Sequence, residues 1–526
     1  MQRPIETFTP AELDLLSPHF TNSSEPVFGL VNLPETVKGA MFARYSRYPG
    51  TLRRLFLDEF ADSLESGAAV FEGAEGKRAA ELYDRIFLGY GDDSVAQLGG
   101  MHIACEWVSN VMTKILQRPR LAAYLEQSTR YLAWDDPMPG GGFRYHREET
   151  LGAGYRAAMD RIFTIYSESI PQVVAWAAEA YPAADGESEA AHMRAVKAKA
   201  FDLLRGLLPA ASLSHMGMYA TGQTYEQLIL HLMAHPLPEA REYGRMILGT
   251  VQQVMPSFVA RVERPDRGGE WVSFLEQRAE AGQRWSDKLG IGASVEPDPG
   301  PSVKLLSHSG TEEDLITALL FEASGQGESA IRAAVDRMSA IEQAAALADL
   351  VGDRKNRRHR PGRGLESLSY RFEVVADYGA FRDLQRHRML TVQWQTLSPH
   401  LGAGVPDEVV QAGCGDAYQE ALDVSARAWA ALISAGRTSH APYVLCLGYR
   451  IRFILDLNAR EAMQLIELRS GREGHPTYRA VAIAMRDRIA EVHPAVAAMM
   501  THVDEQSEPR LERMMSELKA EGRSSS

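Results

Sequence analysis

At 526 residues the chain is too long for one ordinary core, so at least two domains are expected. A hydrophobic fraction of 45% and a charged fraction of 24% are those of a soluble globular protein, not of a disordered or membrane-embedded chain. The formal net charge of −13 argues against a duplex nucleic-acid binder, which carries a basic surplus.

The opening stretch "MQRPIETFTPAELDLLSPHF" has no basic start followed by an apolar run, so no signal peptide is expected. No run of 18 apolar residues occurs anywhere, so no membrane span is expected either. "GMHIACEW", from Gly100, alternates like a strand. "EWVSNVMTKILQ" then reads as a helix, with Val108, Val111, Met112, Ile115 and Leu116 on one apolar face. Pro119 should end that helix near Arg118. A second helical pattern, "TGQTYEQLILHLMAH", begins at Thr221. "VEPDPGPSV", from Val295, is rich in proline and glycine and reads as a linker.

Beyond the linker, Val303, Leu305 and Leu306 suggest a short strand, and Thr311 with Glu312 and Glu313 suggests a helix start. "YRFEVVADY" alternates as a strand, and "GAFRDLQRHR" reads as a helix running into the arginines. "NAREAMQLIELRSG", from Asn458, is another long helix, and the tail after Ser507 is a short amphipathic helix with a frayed end. Cys105, Cys414 and Cys446 fall in no C-x-x-C or Cys/His ligand spacing, so no metal site and no disulfide framework are expected. The reducing cytosol fits such a chain, and a cytoplasmic location is expected.

The same succession occurs twice. Arg118-Pro119-Arg120 lies in the first half and Arg386-His387-Arg388 in the second, each followed by a long helix. The expected fold class is α+β, with two divergent copies of one domain, each a central sheet flanked by long helices. The first copy spans 1–290, the linker 291–302, and the second copy with its tail 303–526.

At these residues the chain resembles the flavin-dependent thymidylate synthases. The motif is R-H-R, seven residues, S-x-R, then N-A-R with an arginine nine residues further on. The resemblance implies conversion of dUMP to dTMP, with FAD as cofactor and NADPH and 5,10-methylenetetrahydrofolate as co-substrates. It also implies sites assembled from several subunits, so a homodimer imitating the family's tetramer is expected.

In the first copy Arg118, Arg120, Ser128 and Arg130 match the motif and Glu126 its usual acid. A nucleotide monophosphate is a dianion, and arginine offers it a planar fork of donors. The resemblance assigns Arg118, Glu126, Ser128, Arg130 and Arg205 to the substrate, and Ser94 and Arg120 to the cofactor. Arg205 stands in "DLLRGLLP", which resembles the family's E-x-x-R-x-x-L-P and offers Asp202 as its acid. Pro119 replaces the central histidine, and Thr221, Gln223, Gln227 and Leu232 replace the asparagines and arginines of the helix.

The second copy departs elsewhere. Thr396 and Ser398 replace the serine and arginine, while Glu366, Arg386, His387, Arg388, Asn458, Arg460 and Gln464 remain as cofactor-contacting matches and Arg469 as a substrate match. Asn458 and Arg469 share one helix face with Ala462 and Leu465. An arginine on an apolar stripe must be paired or hold an anion; a salt bridge to Glu473 is the alternative to a ligand. The losses are complementary, so one composite site is expected, joining Glu126, Ser128 and Arg130 to Asn458, Arg460 and Arg469.

Other features carry less. The basic run "RKNRRHRPGR", from Arg354, could meet a phosphate-bearing ligand or lie in solvent, and no nucleic-acid partner is expected. Tyr131, Trp134 and Trp394 could stack on a flavin or pyrimidine or belong to the core. Two competing readings remain: a flavoenzyme acting on another pyrimidine nucleotide, and a non-catalytic binding descendant.

Overall fold

The structure is a computed structural model describing residues 7–24, 28, 30–45, 48, 50–61, 97–130, 132–138, 141–185, 187–291, 300–506 and 508–524. Ser94 and Tyr131, singled out above, lie outside the described residues. After three short helices among the described residues, the elements that matter for the site follow in chain order. They are β1 (Gly100–Ser109), α1 (Asn110–Leu116), β2 (Ala122–Glu126), α2 (Gly152–Ala180), α3 (Glu189–Leu204), β3 (Leu213–Thr221) and α4 (Gly222–Met233). The second half contributes β4 (Ser302–Ser309), α5 (Glu312–Ser324), β5 (Ser369–Asp377), α6 (Tyr378–Leu384), β6 (Leu390–Trp394), α7 (Gly415–Ser434), β7 (Arg450–Asn458), α8 (Ala459–Arg469), α9 (Pro476–Val492) and α10 (Met514–Ser524).

The chain divides into two compact units that interleave along the sequence. One comprises 1–106, 115–126 and 215–293; the other comprises 107–114, 127–214 and 294–526. The middle of the first half, including α2 and α3, thus folds into the same unit as the whole second half.

In the first unit the sheet order is β1-β3-β2, with β2 antiparallel to β3 and Ala122 opposite Ala220. Thr221 caps α4 by accepting from the Thr224 amide, a role that needs only a hydroxyl. This helix buries Tyr225, Leu228, Ile229 and Leu232. Leu232, standing where the family has an arginine, is a core residue.

The helix expected over 106–117 is shorter than its pattern. β1 runs on to Ser109, and only Asn110–Leu116 is helical. Ser109 Oγ accepts from the Met112 amide at 3.0 Å, which starts the helix after Ser109 and leaves Val108 in the strand.

In the second unit the sheet order is β4-β5-β7-β6, antiparallel throughout. The period-2 pattern holds: Ile451, Phe453, Leu455 and Leu457 of β7 are buried, with half-buried residues between them. Phe381 packs on Phe453 and Trp394, at ring separations of 5.1 and 5.4 Å. Each fully buried side chain of this kind contributes about 1.5–3 kcal/mol. Trp134 is also core, fully buried with its indole N–H donating to the Leu213 carbonyl at 3.0 Å.

Polar residues close each strand onto a helix. Thr311 caps α5 in a capping box with Asp314. Asp377 ends β5 and accepts from the Ala380 amide at 2.7 Å, capping α6. Asn458 ends β7 and accepts from the Glu461 amide at 2.9 Å, capping α8. The helix expected to run through Arg386-His387-Arg388 stops at Leu384, and the arginines occupy the turn into β6. Among the described residues no helix is long and apolar enough to cross a membrane, and no group of three metal-ligating side chains occurs.

Candidate active site

The site lies within the second unit, where side chains from both halves of the sequence converge. Arg130 projects from the segment after β2. Its guanidinium grips Asp202 with both forks, Nε to Oδ1 at 2.6 Å and Nη2 to Oδ2 at 2.5 Å. Nη1 donates to Tyr478 Oη at 2.9 Å and Nη2 to the Glu473 carbonyl at 3.1 Å. Asp202, in the last turn of α3, is 4% exposed. Burial alone would raise its pKa, but Arg130 outweighs burial and holds the carboxyl below its usual range.

Arg469, the last residue of α8, approaches the same tyrosine. Its guanidinium carbon lies 5.7 Å from the Tyr478 ring centre, and that of Arg130 lies 5.8 Å from it. The two arginines flank one ring, well within the span of a single nucleotide. Arg469 Nε donates to His387 Nε2 at 3.0 Å, and His387 Nδ1 faces Glu461 Oε1 at 2.8 Å. No carboxylate stands within ion-pair distance of Arg469 among the described residues. The alternative pairing with Glu473 is not formed; the Glu473 side chain binds Ser516.

Asp383 is the centre of the cluster. It pairs with Arg386 three residues on, and accepts from Arg205 Nη1 at 3.2 Å. Burial would raise its pKa, but Arg386, Arg205, Arg469 and Arg130 together hold it well below the usual carboxylate range. His387 and His475 are both held below the ordinary imidazole value, chiefly by burial and then by the neighbouring arginines. His475 Nε2 faces the Asp202 carbonyl at 3.0 Å, and its Nδ1 meets Thr477 Oγ1 at 2.9 Å.

The structure therefore brings Arg130, Arg205, Arg386, His387 and Arg469 together. Ser128 lies two residues before Arg130, and its Oγ accepts from the Arg130 amide at 3.2 Å. Arg118 and Arg120 are exposed in the first unit, ahead of β2, and Glu126 ends that strand, accepting from Gln117 at 3.0 Å.

Of the remaining second-copy residues, Asn458, Arg460 and Glu366 meet at the start of α8. Leu390 pairs with Leu457, where the β6–β7 ladder ends, and Arg388 lies two residues before that pair. Arg460 donates to the Pro361 carbonyl at 3.0 Å and to Glu366 at 3.2 Å, and Glu366 also takes Arg363. Arg386 and Arg388 are exposed, and Gln464 is half-buried. A helix N-terminus with the Arg460 guanidinium in its first turn is of the kind that suits the phosphates of a dinucleotide such as FAD. Asn458 already has a structural task as the helix cap.

Sequence reasoning missed Asp383, Tyr478, His475, Asp377 and Glu461. Asp383 had a signal: it stands three residues before Arg386, ion-pair spacing on a helix. Glu461 stands three after a capping asparagine, where an acid is favoured. Tyr478 had none.

Two runs of one α+β pattern pooling arginines around one centre define a tandem two-copy protein. The thymidylate synthase complementing protein family matches residues 52–257 and 304–495, and the chain belongs to that family, carrying its domain twice. A UPF0159 protein of Chlamydia muridarum (strain MoPn / Nigg) is 34% identical over 529 residues, covering 97% of this chain and 98% of the relative. A UPF0159 protein of Chlamydia pneumoniae is 34% identical over 527 residues, covering 98% of each. Among solved structures, the UMP/dUMP methylase PolB from Streptomyces cacaoi, bound with 5-Br dUMP, aligns at a TM-score of 0.32 with 18% identity. That alignment covers 41% of this chain and all of the other, and a likeness that weak carries nothing further.

Proposed function

We propose that the second unit binds a dUMP-like nucleotide at Ser128, Arg130, Arg205 and Arg469, and that the chain methylates it reductively to dTMP. Methylenetetrahydrofolate and NADPH serve as co-substrates. The observation that carries this reading is Arg469. It is a guanidinium held between a neutral histidine and a tyrosine ring, beside two further arginines, and Asp383, the carboxylate in whose field it lies, spends its direct ion pairs on Arg205 and Arg386. A phosphate dianion is the ligand such a site lacks.

Arg460 at the start of α8, with Arg386 and Arg388 from the turn before β6, would hold FAD by its phosphates, with Glu366 positioning Arg460. When bound, the flavin supplies the hydride for the pyrimidine. His387 borders both groups and holds its proton at Nδ1, which leaves Nε2 to orient Arg469. Two copies, 1–290 and 303–526, joined by 291–302, make a homodimer the counterpart of the family's tetramer, and a cytoplasmic location suits the free thiols.

Tritium release from 5-tritiated dUMP, with NADPH and methylenetetrahydrofolate, tests the reading. Release that depends on both co-substrates supports it, and no release from flavin-loaded protein refutes it. A second reading, a non-catalytic nucleotide-binding descendant, is favoured by one observation. Asp202 saturates Arg130, and Asp383 engages Arg205 and Arg386, so three of the four arginines are already paired.

A further inference from the structure

In the first unit the helix Glu270–Lys288 stands nearly uncovered: of its 19 residues only Leu275 is buried. Its main packing is at its start, against the turn Pro265–Gly269 and against α4, where Leu230 and His231 share a groove with Trp271 and Phe274. Helices draw most of their stability from packing an apolar face, and this one turns its apolar face to solvent. Trp271, Phe274 and Trp285, with Leu289 and Ile291 just past the helix end, are each between 45% and 65% exposed.

At roughly 100° per residue, Trp271, Phe274, Arg278, Gly282, Trp285 and Leu289 follow one another along a stripe about 80° wide. Glu276, Glu280, Arg284 and Asp287 occupy the opposite face. The large apolar side chains leave on the order of 600 Å² open, against roughly 800 Å² that each partner buries in a standard interface. A patch of that size on a soluble chain marks an interaction surface.

The charges along the helix select the occupant. A membrane is a poor match, because an interfacial helix carries lysines and arginines on its polar face, whereas this polar face holds Glu276, Glu280 and Asp287 and the chain has a net charge of −13. A second copy of the helix is a good match. Glu270 and Lys288 lie about five full turns apart, on the same edge of the stripe and at its opposite ends. Neither has an ion-pair partner among the described residues, and Lys288 rests on the Trp285 ring at 4.3 Å. An antiparallel copy related by a twofold axis beside Ala279 sets Glu270 against Lys288 of the partner subunit, and the reverse. The same placement lays Trp271 and Phe274 along Trp285 and Leu289 of the partner subunit. Arg278, close to that axis, folds back over Phe274, with its guanidinium carbon 5.7 Å from the ring centre. A Cβ at Gly282 would meet nothing within 4 Å, so the stripe has room there for a partner's side chain.

We propose that the stripe from Trp271 to Leu289 is the surface through which two copies of this chain pair, antiparallel, about a twofold axis beside Ala279. This interface rests on the homodimer reading above and is independent of the nucleotide.

Sedimentation velocity on the full chain, with a cross-linking arm, tests it. The wild type is expected to sediment as a dimer. Phe274→Glu combined with Trp285→Glu, both at exposed positions, should raise the dimer dissociation constant at least a hundredfold in protein whose circular dichroism is unchanged. In the second arm, Arg278→Cys, near the axis, should form an intermolecular disulfide on mild oxidation, and Glu280→Cys, on the opposite face, should not. The native cysteines are buried, which keeps the background low. A dimer that survives the two glutamates, or equal cross-linking through the two cysteine variants, would overturn this interface and leave the homodimer standing. A monomeric wild type would overturn both, and neither result bears on dUMP binding.

Discussion

Arg469 donates from Nε to Nε2 of His387 at 3.0 Å, and this one bond fixes the protonation of the ring. Arginine has no acceptor, so Nε2 must be bare and the proton must sit on Nδ1, where Glu461 accepts it at 2.8 Å. The cation is thereby oriented by a neutral ring and not by a directly paired carboxylate.

Glu461 therefore acts on the site through His387. In Glu461→Leu the ring can move its proton to Nε2 and meet Arg469 donor to donor. The dUMP affinity of that variant is expected to fall about tenfold, the equivalent of one net hydrogen bond of about 1.4 kcal/mol. Glu461→Gln, which can still accept, should keep most of the affinity. Calorimetric titration of both variants decides the point; equal affinities would show that the tautomer does not matter.

Arg130 and Asp202 form a nearly dry bidentate pair, with side chains 12% and 4% exposed. Removing one partner strands the other charge, so Arg130→Met is expected to cost about 3–5 kcal/mol of stability. Arg130→Met combined with Asp202→Leu should cost less than Arg130→Met alone. Urea denaturation midpoints measure this, and strictly additive losses would contradict it.

The two buried histidines make stability depend on pH with a definite sign. In the folded chain His387 and His475 lie below the ordinary value of 6.5. Above pH 6.5 neither state binds the proton and the pair adds no slope. Below it the unfolded chain takes up protons that the folded chain refuses. Stability then falls with falling pH, by about 1.4 kcal/mol per pH unit for each histidine, until the folded pKa values are passed. At still lower pH the depressed carboxylates Asp202 and Asp383 add a further loss as they protonate. Denaturation midpoints from pH 7.5 to 5 should decline in the wild type and less steeply in His387→Gln.

Within the basic run after Arg354 the structure separates one residue from the rest. Arg354 is locked to Glu467, with side chains 5% and 0% exposed, while Arg357, Arg358 and Arg360 are exposed. Arg354→Leu is expected to cost about 3–5 kcal/mol, and Arg358→Ala to stay within about 0.5 kcal/mol of the wild type. Thermal unfolding of the two variants distinguishes a structural anchor from a solvated patch.

Local pattern made much of this fold legible. Alternation at Tyr370–Ala376 and hydroxyl caps at Thr311 and Thr221 express short-range rules that hold wherever the chain folds. The helix boundaries at Ser109 and Leu384 were less legible, because a side-chain cap and a turn interrupt a pattern that would otherwise continue. The meeting of Arg130 with Arg469 was readable only from complementary losses between the copies. Asp202 and Asp383 as counter-ions, and Tyr478 as the ring between the arginines, depend on contacts far apart in sequence that no spacing encodes. The interleaving of the two units was equally invisible, since each strand and helix reads the same whichever core it joins.

The central claim is that this cluster holds a nucleotide by its phosphate. Calorimetric titration of the full chain with dUMP and with deoxyuridine, repeated on Arg469→Gln, tests it most directly. The account predicts that dUMP binds at least tenfold more tightly than deoxyuridine, and that Arg469→Gln lowers dUMP affinity by about ten- to a hundredfold, the range of a charge-assisted hydrogen bond. Equal binding of the two ligands, or an unchanged dUMP affinity in Arg469→Gln, would contradict it.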